Sequence, residues 1–328
     1  MRAKPFLITA LFVIAATAQP ARAQQRGPQS PPELHLLPVQ GNVYMLVGAA
    51  GNITVQAGSD GILLVDTGAA QAGDQIIAKI KELAKPITSK PLRYIINTHV
   101  HPDHTGGNEK LRNAGVTITG GNVAGNIRDA AQGAAIVAHE NVLNKMSAPT
   151  GAQAPTPAAA WPTDTYFGDE KDVFFNGEAA QVFHPKSAHT DGDSIVFFRR
   201  SDVVSTGDIF LTNSYPVVDL QNGGSINGLI DALNFILDLT VPAEKQEGGT
   251  MVIPGHGRLS DEADVVEYRD MATIVRDRVQ DMIRKGMTLE QVKAAKPTRD
   301  YDPLYGSTTG FWTTDMFVEA VYRSLSKK

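Results

Sequence analysis

The 328-residue chain contains no cysteine. Disulfides, thiolate ligands and a thiol nucleophile are therefore excluded, and any metal must be held by imidazole and carboxylate groups. No stretch reaches the roughly 20 apolar residues that a membrane-spanning helix needs. The run Phe6 to Ala16 is too short; it follows Arg2 and Lys4 and leads to Ala21-Arg22-Ala23, a small-x-small cleavage pattern. Met1 to Ala23 reads as a secretory signal, which predicts a periplasmic or secreted mature protein beginning at Gln24 and not retained in a membrane. Positive charge is also scarce. The net charge is −5 and becomes −8 once Arg2, Lys4 and Arg22 are removed, so a nucleic-acid surface is not expected and the partner should be a small-molecule substrate. The 305 residues that follow the cleavage site suffice for a large hydrophobic core.

Histidine occurs only eight times, yet three of the eight fall in the loop Thr98-His99-Val100-His101-Pro102-Asp103-His104-Thr105-Gly106. The loop follows Leu92 to Asn97, an apolar, β-branched run that reads as a buried strand. Ligands are thus placed at the carboxyl end of a strand, where α/β sheets carry their chemistry. His99 and His101 project to one side of an extended chain, and Pro102 forces the turn that brings in Asp103 and His104. A polar surface loop would explain the composition but not this concentration behind a core strand. One loop cannot complete a two-metal site, and three later positions repeat the pattern of strand, tight turn and ligand: His189 in Ser187 to Asp193, Asp208 after Val203 to Gly207, and His256 between Gly255 and Gly257.

In this set of residues the chain resembles the metallo-β-lactamase superfamily, with His99-x-His101-x-Asp103-His104 as the signature loop. The resemblance implies an α/β fold, the four-layer αβ/βα sandwich, and two Zn²⁺ ions per chain. It assigns His99, His101 and His189 to one zinc, Asp103, His104 and His256 to the other, and Asp208 to the bridge between them. It also implies that Asp103 can orient the attacking water and that Asp66, in Leu64 to Gly68, is an outer carboxylate that positions the metal loop. A water shared by two cations loses a proton near neutral pH and becomes a nucleophile, so hydrolysis is the natural chemistry.

Three short runs, Val43 to Val47, Asn52 to Ala57 and Ile62 to Val65, predict an antiparallel meander, preceded by a loose Gln- and Pro-rich arm over Gln24 to Pro38. Ala69 to Ala84 predicts an amphipathic helix, Glu109 to Asn113 a short helix, Val116 to Thr119 a strand, and Val123 to Met146 a long helix that carries His139. His35, His139 and His184 lack the strand-end placement and are not expected to bind metal. Ser147 to Thr165 reads as a long loop that could act as a lid. Val173 to Phe175, Ala180 to Phe183, Ser194 to Phe198 and Val203 to Ser205 predict a second set of strands. Ser225 to Leu239 predicts a helix, and residues 259–328 a helical extension on the catalytic domain of residues 24–258, with Ser260 capping its first helix and a Thr288/Gln291 capping box on a later one.

The function expected from this reading is a secreted dinuclear zinc hydrolase that uses a metal-bridging hydroxide to cleave an acyl bond in an ester, lactone or related substrate. β-Lactam hydrolysis is the alternative within the superfamily, but its true β-lactamases place cysteine or serine where Asp208 stands. Lactonases of the superfamily use a tyrosine soon after the aspartate, for which Tyr215 is the nearest candidate. A di-iron redox enzyme and a non-catalytic zinc protein are the alternatives of other classes; oxygen-reducing members carry glutamate in place of His101, and a decayed site would be expected to lack a ligand. Ile209, Phe210 and Leu211 are expected to give the site an apolar wall, with Arg258 or Lys186 as the cations available to a substrate carboxylate.

Overall fold

In a computed structural model, which describes residues 33–117, 133–148, 156–246 and 248–326, the apolar runs pair into two sheets. The first begins with β1 (His35–Gln40), β2 (Val43–Ala49), β3 (Gly51–Gly58) and β4 (Gly61–Val65), joined antiparallel in sequence order. After α1 (Gly73–Ala84), β5 (Leu92–Ile96) lies parallel to β4, with Leu64 opposite Ile95 and Val65 opposite Ile96. The short helices α2 (Pro102–Thr105) and α3 (Asn108–Asn113) follow, then β6 (Ala135–His139), α4 (Glu140–Ser147) and β7 (Asp164–Tyr166), both strands again parallel. The second sheet runs antiparallel through β8 (Glu170–Phe175), β9 (Glu178–Phe183), β10 (Ile195–Phe198) and β11 (Val203–Ser205). Helix α5 (Ile226–Leu239) then crosses to β12 (Met251–Ile253), parallel to β11. Helices α6 (Glu262–Arg284), α7 (Leu289–Ala295), α8 (Asp302–Tyr305) and α9 (Thr314–Ser326) complete the order.

Alternation along the strands sorts the core into three layers. Met45, Leu63, Val65 and Ile96 of the first sheet meet Phe175, Val182, Val196 and Phe198 of the second. The opposite faces, Leu46, Ile53, Leu64 and Ile95, pack under Ile76 and Ile80 of α1. On the far side, Ile195, Val204 and Val252 are covered by Leu229 and Leu233 of α5, Tyr268 and Met271 of α6, and Phe317 and Val321 of α9. The order is helix, sheet, sheet, helix, the αβ/βα sandwich expected. The residues of β3 on the face opposite Ile53 and Val55 are polar and buried. Thr54 Oγ1 donates to Ser205 Oγ at 2.9 Å and Gln56 Nε2 to Glu178 Oε1 at 2.8 Å, so this strand joins the sheets by hydrogen bonds. An alternating polar face, which by pattern belongs in water, here points between the sheets.

Several local expectations are corrected. His35 to Pro38 belongs to edge strand β1 and not to a loose arm; a proline is tolerated there because an edge strand leaves half of its amides unpaired. The long helix over Val123 to Met146 is replaced, in its described part, by β6 and α4. A parallel strand covered on both faces is continuously apolar and cannot be told from a buried helix by periodicity. Val116 makes only an isolated bridge to Gly133. Within Ser147 to Thr165 the described residues include a turn at Ala158–Ala160, where the Ala160 carbonyl accepts from Asn108 Nδ2, and the start of β7. The signal segment lies outside the described residues. At α6 the capping side chain is Asp261, which accepts from the Asp264 amide, one position after Ser260. The Thr288/Gln291 capping box is present. No helix among the described residues is long and apolar enough to cross a membrane.

Candidate metal centre

The loops at one edge of both sheets bring together all seven side chains of the predicted ligand set. Ligand-type atoms of His99, His101, His189 and Asp208 lie within 4.8 Å of one another, and so do those of Asp103, His104 and His256. The two groups adjoin. Asp208 Oδ1 lies 3.1 Å from His104 Nε2, and Asp208 Oδ2 lies 3.9 Å from His99 Nε2 and 3.8 Å from His189 Nε2. His104 Nε2 is 3.3 Å from His256 Nε2, which is 3.1 Å from an Asp103 carboxylate oxygen.

Each element presents its residue for a local reason. β5 ends at Ile96, and the next residues are held by Asp66, itself at the end of β4 with a φ of +65°. One Asp66 oxygen accepts from the Thr98 amide at 2.8 Å; the other accepts from Thr98 Oγ1 at 2.7 Å and faces His104 Nδ1 at 2.7 Å. Pro102 opens the single turn of α2, which lifts Asp103 and His104 toward the centre. Asp208 stands on a turn after β11, and any side chain at Gly255 would collide with its carboxylate. His256 follows, and Gly257 takes a φ of +99° with Thr212 pressed against it, a conformation and a space that only glycine satisfies.

The outer partners set which nitrogen of each ring faces inward. His104 donates Nδ1–H to Asp66, His189 donates Nδ1–H to the Val217 carbonyl at 2.6 Å, and His101 donates Nε2–H to Asp219 at 2.8 Å. Thr98 Oγ1, having given its proton to Asp66, accepts from His99 Nδ1 at 3.0 Å. Four imidazoles therefore converge with their lone pairs: His99 Nε2, His101 Nδ1, His104 Nε2 and His189 Nε2. His101 Nδ1 and His189 Nε2 stand 3.0 Å apart. Two buried atoms at the middle of the set, His99 Nε2 and Asp208 Oδ1, have no aligned hydrogen-bond partner. Buried polar atoms are seldom left unpaired, and nitrogen and carboxylate donors arranged in this way fit one or more divalent cations.

Titration follows the same geometry. Burial lowers the pKa of His99 well below the usual histidine range and that of His189 to about 4. Burial works against a charge on His104 as well, but the carboxylates of Asp208 and Asp66 outweigh it and hold this ring well above its ordinary value. Asp208, despite its burial, is held well below the usual carboxylate range by His104. Asp103 is likewise lowered, burial being outweighed by its bond to His256, whose own pKa rises in return. In the metal-free chain protons occupy lone pairs that a cation would take, so metal affinity should strengthen as pH rises.

The sequence model of the metallo-beta-lactamase superfamily matches residues 39–256, two thirds of the chain and every residue of this centre. The chain belongs to the metallo-beta-lactamase superfamily. Its donor set is of the kind that can hold divalent cations. Among curated relatives, a linear primary-alkylsulfatase of a Pseudomonas strain is 26% identical over 276 residues, covering 74% of this chain and 50% of that protein. Among solved structures, a stereoselective inverting sec-alkylsulfatase from Pseudomonas superposes with a TM-score of 0.61 at 16% identity, over 88% of this chain and 50% of the other. A metallo-beta-lactamase from Pontibacter korlensis superposes with a TM-score of 0.51 at 15% identity, over 74% of this chain and 99% of that one. The chain spans about half the length of the alkylsulfatases it matches. At these identities the solved structures establish the superfamily fold.

The residues expected around the site are placed differently from one another. Ile209, Phe210 and Leu211 are 1%, 1% and 2% exposed and lie in the core beneath the helices, so they form no wall of the site. Tyr215 is buried as well; its hydroxyl donates to Asp302 Oδ1 at 2.9 Å, and its ring stacks on Phe317. Arg258 pairs with Asp264, and Lys186 with Asp169. His139 and His184 stack face to face with ring centroids 3.6 Å apart, away from the metal-ligand groups. The sequence reading missed Asp219 and Thr98. A lone aspartate in a loop, distant in sequence from His101, carries no local signal, whereas Thr98 could have been suspected from its place beside His99.

Beside the centre lies a cleft of about 780 Å³. Its floor carries His101, Asp103 and Asp208, and the remaining lining comes from the loop 217–221 and from the segment 311–323 that ends in α9.

Proposed function

We propose that the chain is an exported dinuclear zinc hydrolase acting on a neutral acyl ester or lactone. His99, His101 and His189 would hold one ion and Asp103, His104 and His256 a second, with Asp208 shared. When bound, such a pair supplies Lewis-acid polarisation of the scissile bond and an acidified water. The remaining tasks belong to the chain. Asp66, Thr98, Asp219 and the Val217 carbonyl fix the tautomers and orientations of the ligand rings. Asp103, kept ionised and half-exposed at the cleft floor, is placed to accept a proton from the attacking water and to return it to the leaving alkoxide.

The observation that carries the neutral substrate is the charge of the cleft. Arg323 is the one arginine or lysine among its described lining residues, and it is already engaged by Glu319 at 2.8 Å. A substrate carboxylate would meet this one arginine, bonded through Nε to Glu319, against the carboxylates of Asp103, Asp208, Asp219 and Glu319 in the same lining. A second reading, hydrolysis of an alkyl sulfate ester, is favoured by the alkylsulfatase relative. One metal-loaded preparation tested on a p-nitrophenyl ester, an acyl lactone, an alkyl sulfate and a chromogenic β-lactam decides between them, with His101→Ala as the blank. The neutral esters are expected to show the highest kcat/KM. A preference of about tenfold, or 1.4 kcal/mol, for the sulfate would install the second reading, and the same margin for the β-lactam would overturn both. Export rests on the Met1 to Ala23 segment, and mass spectrometry of secreted protein should find Gln24 first.

A further inference from the structure

The apolar side of the cleft is more specific than the proposed reaction requires. Phe311 is 82% exposed and Met316 43% exposed, both large apolar residues facing the same cleft as His101 and Asp103. Trp312 stands between them, its indole donating to the Pro216 carbonyl at 3.2 Å. Leu220 and Val217 line the cleft from the opposite loop, and Ala320 extends the surface along α9. This surface is rigidly backed. Phe317 and Val321, on the other side of α9, are fully buried, and Glu319 is tied to Lys293 at 2.7 Å and to Arg323. It is also continuous with the centre, because the loop that presents Leu220 contains Asp219, bonded to His101, and follows Val217, whose carbonyl accepts from His189.

Exposed side chains of this size are costly in water unless something covers them part of the time. The surface is contiguous with the reacting centre, and the one cation among its described lining residues, Arg323, is bonded to Glu319. We propose that Phe311, Trp312, Met316 and Leu220 form a specificity wall for an uncharged alkyl or acyl chain of several carbons on the substrate, and that the chain prefers medium-length over short esters. This rests on the ester-hydrolase reading of the centre and names the part of the substrate that the centre does not touch. Three of the four wall residues, Phe311, Trp312 and Met316, lie beyond the segment matched by the superfamily model.

The test is a series of p-nitrophenyl esters from acetate to decanoate on the metal-loaded enzyme, compared with Phe311→Ala and Met316→Ala, both at exposed positions that the fold does not need. In the unaltered chain kcat/KM should rise about two- to fourfold per added methylene over the middle of the series. In the double variant the octanoate-to-acetate ratio should fall by roughly tenfold. A flat series, or a ratio that the substitutions do not change, overturns the wall. A second measurement does not depend on turnover: the chain has two tryptophans, so in a Trp161→Phe background emission reports on Trp312 alone. Saturable change with octan-1-ol, weakened by Phe311→Ala, supports the wall, and its absence overturns it. If no ester is cleaved while octan-1-ol still binds, the reading of the centre fails and the wall stands.

Discussion

The two groups of candidate ligands differ in how they are held. His99 and His189 are 1% and 0% exposed, at the ends of strand-bound segments, and with His101 each has its outer nitrogen committed to a partner. Asp103 and His256, with side chains 36% and 24% exposed, stand on a one-turn helix and on a glycine-flanked loop, and they face each other across the cleft floor. In this second group the ring of His104 is held from outside by Asp66, whereas the His256 loop is held through its backbone, by Thr212 and Asn52. Burial with a fixed outer hydrogen bond lets a donor hold its position before any cation arrives. A donor on a short exposed turn must be ordered as it binds. The first group is therefore the preorganised one, and the second should exchange its ion more readily.

The largest effect expected is from His99→Ala, which should reduce hydrolysis to the blank and remove the first ion, whereas His256→Ala should keep one ion per chain while losing most activity. Elemental analysis of both variants checks this, and a single ion in fully active unaltered enzyme would remove the dinuclear reading. Next come the outer carboxylates. Asp66→Asn and Asp219→Asn should each weaken metal affinity or activity about 10- to 100-fold. Asp66→Asn should be the more severe, because that carboxylate also holds the Thr98 amide and hydroxyl. Calorimetric titration with zinc ranks them, and an equal or reversed order would mean that the two groups are held alike. Gly255→Ala should cost on the order of 1–3 kcal/mol of stability through overpacking against Asp208, read as a lowered Tm in metal-free protein.

The smallest effect lies away from the centre. His139 is pushed down to about 4 by burial and by His184 stacked upon it, against the opposing pull of Asp191 and Asp169; His184 is itself lowered, chiefly by burial. A histidine whose folded pKa lies below its unfolded value contributes stability that is whole above about pH 6.5. That contribution is lost as pH falls toward 4, because the unfolded chain then binds protons that the stacked pair refuses. Tm should fall over that window, and His139→Phe should flatten the fall without changing the pH dependence of zinc binding. If both curves move together, the stacked pair is coupled to the metal centre.

The strand runs and the grouping of the seven candidate side chains were legible in short-range pattern, and the four-layer order followed from the family resemblance that those side chains carry. A short apolar run bounded by turns marks a strand, and a side chain that follows a strand and a tight turn is delivered to a sheet edge. The failures share a different cause. β6 is covered on both faces and so shows no alternation, and polar Thr54 and Gln56 point inward because Ser205 and Glu178, more than a hundred residues away, satisfy them. Ile209, Phe210 and Leu211 are adjacent to Asp208 in sequence but turn into the helical core, while the apolar face of the cleft comes from Phe311 to Ala320, about a hundred residues later. Asp219 reaches His101 only once the loop before α5 folds back. The chemistry of the centre was thus determined by residue type and local spacing, since a ligand's identity and its strand-end position are written within a few residues. What surrounds the centre was decided by tertiary structure, because hydrogen-bond partners and cleft walls are chosen by which distant segments the packed layers bring within reach.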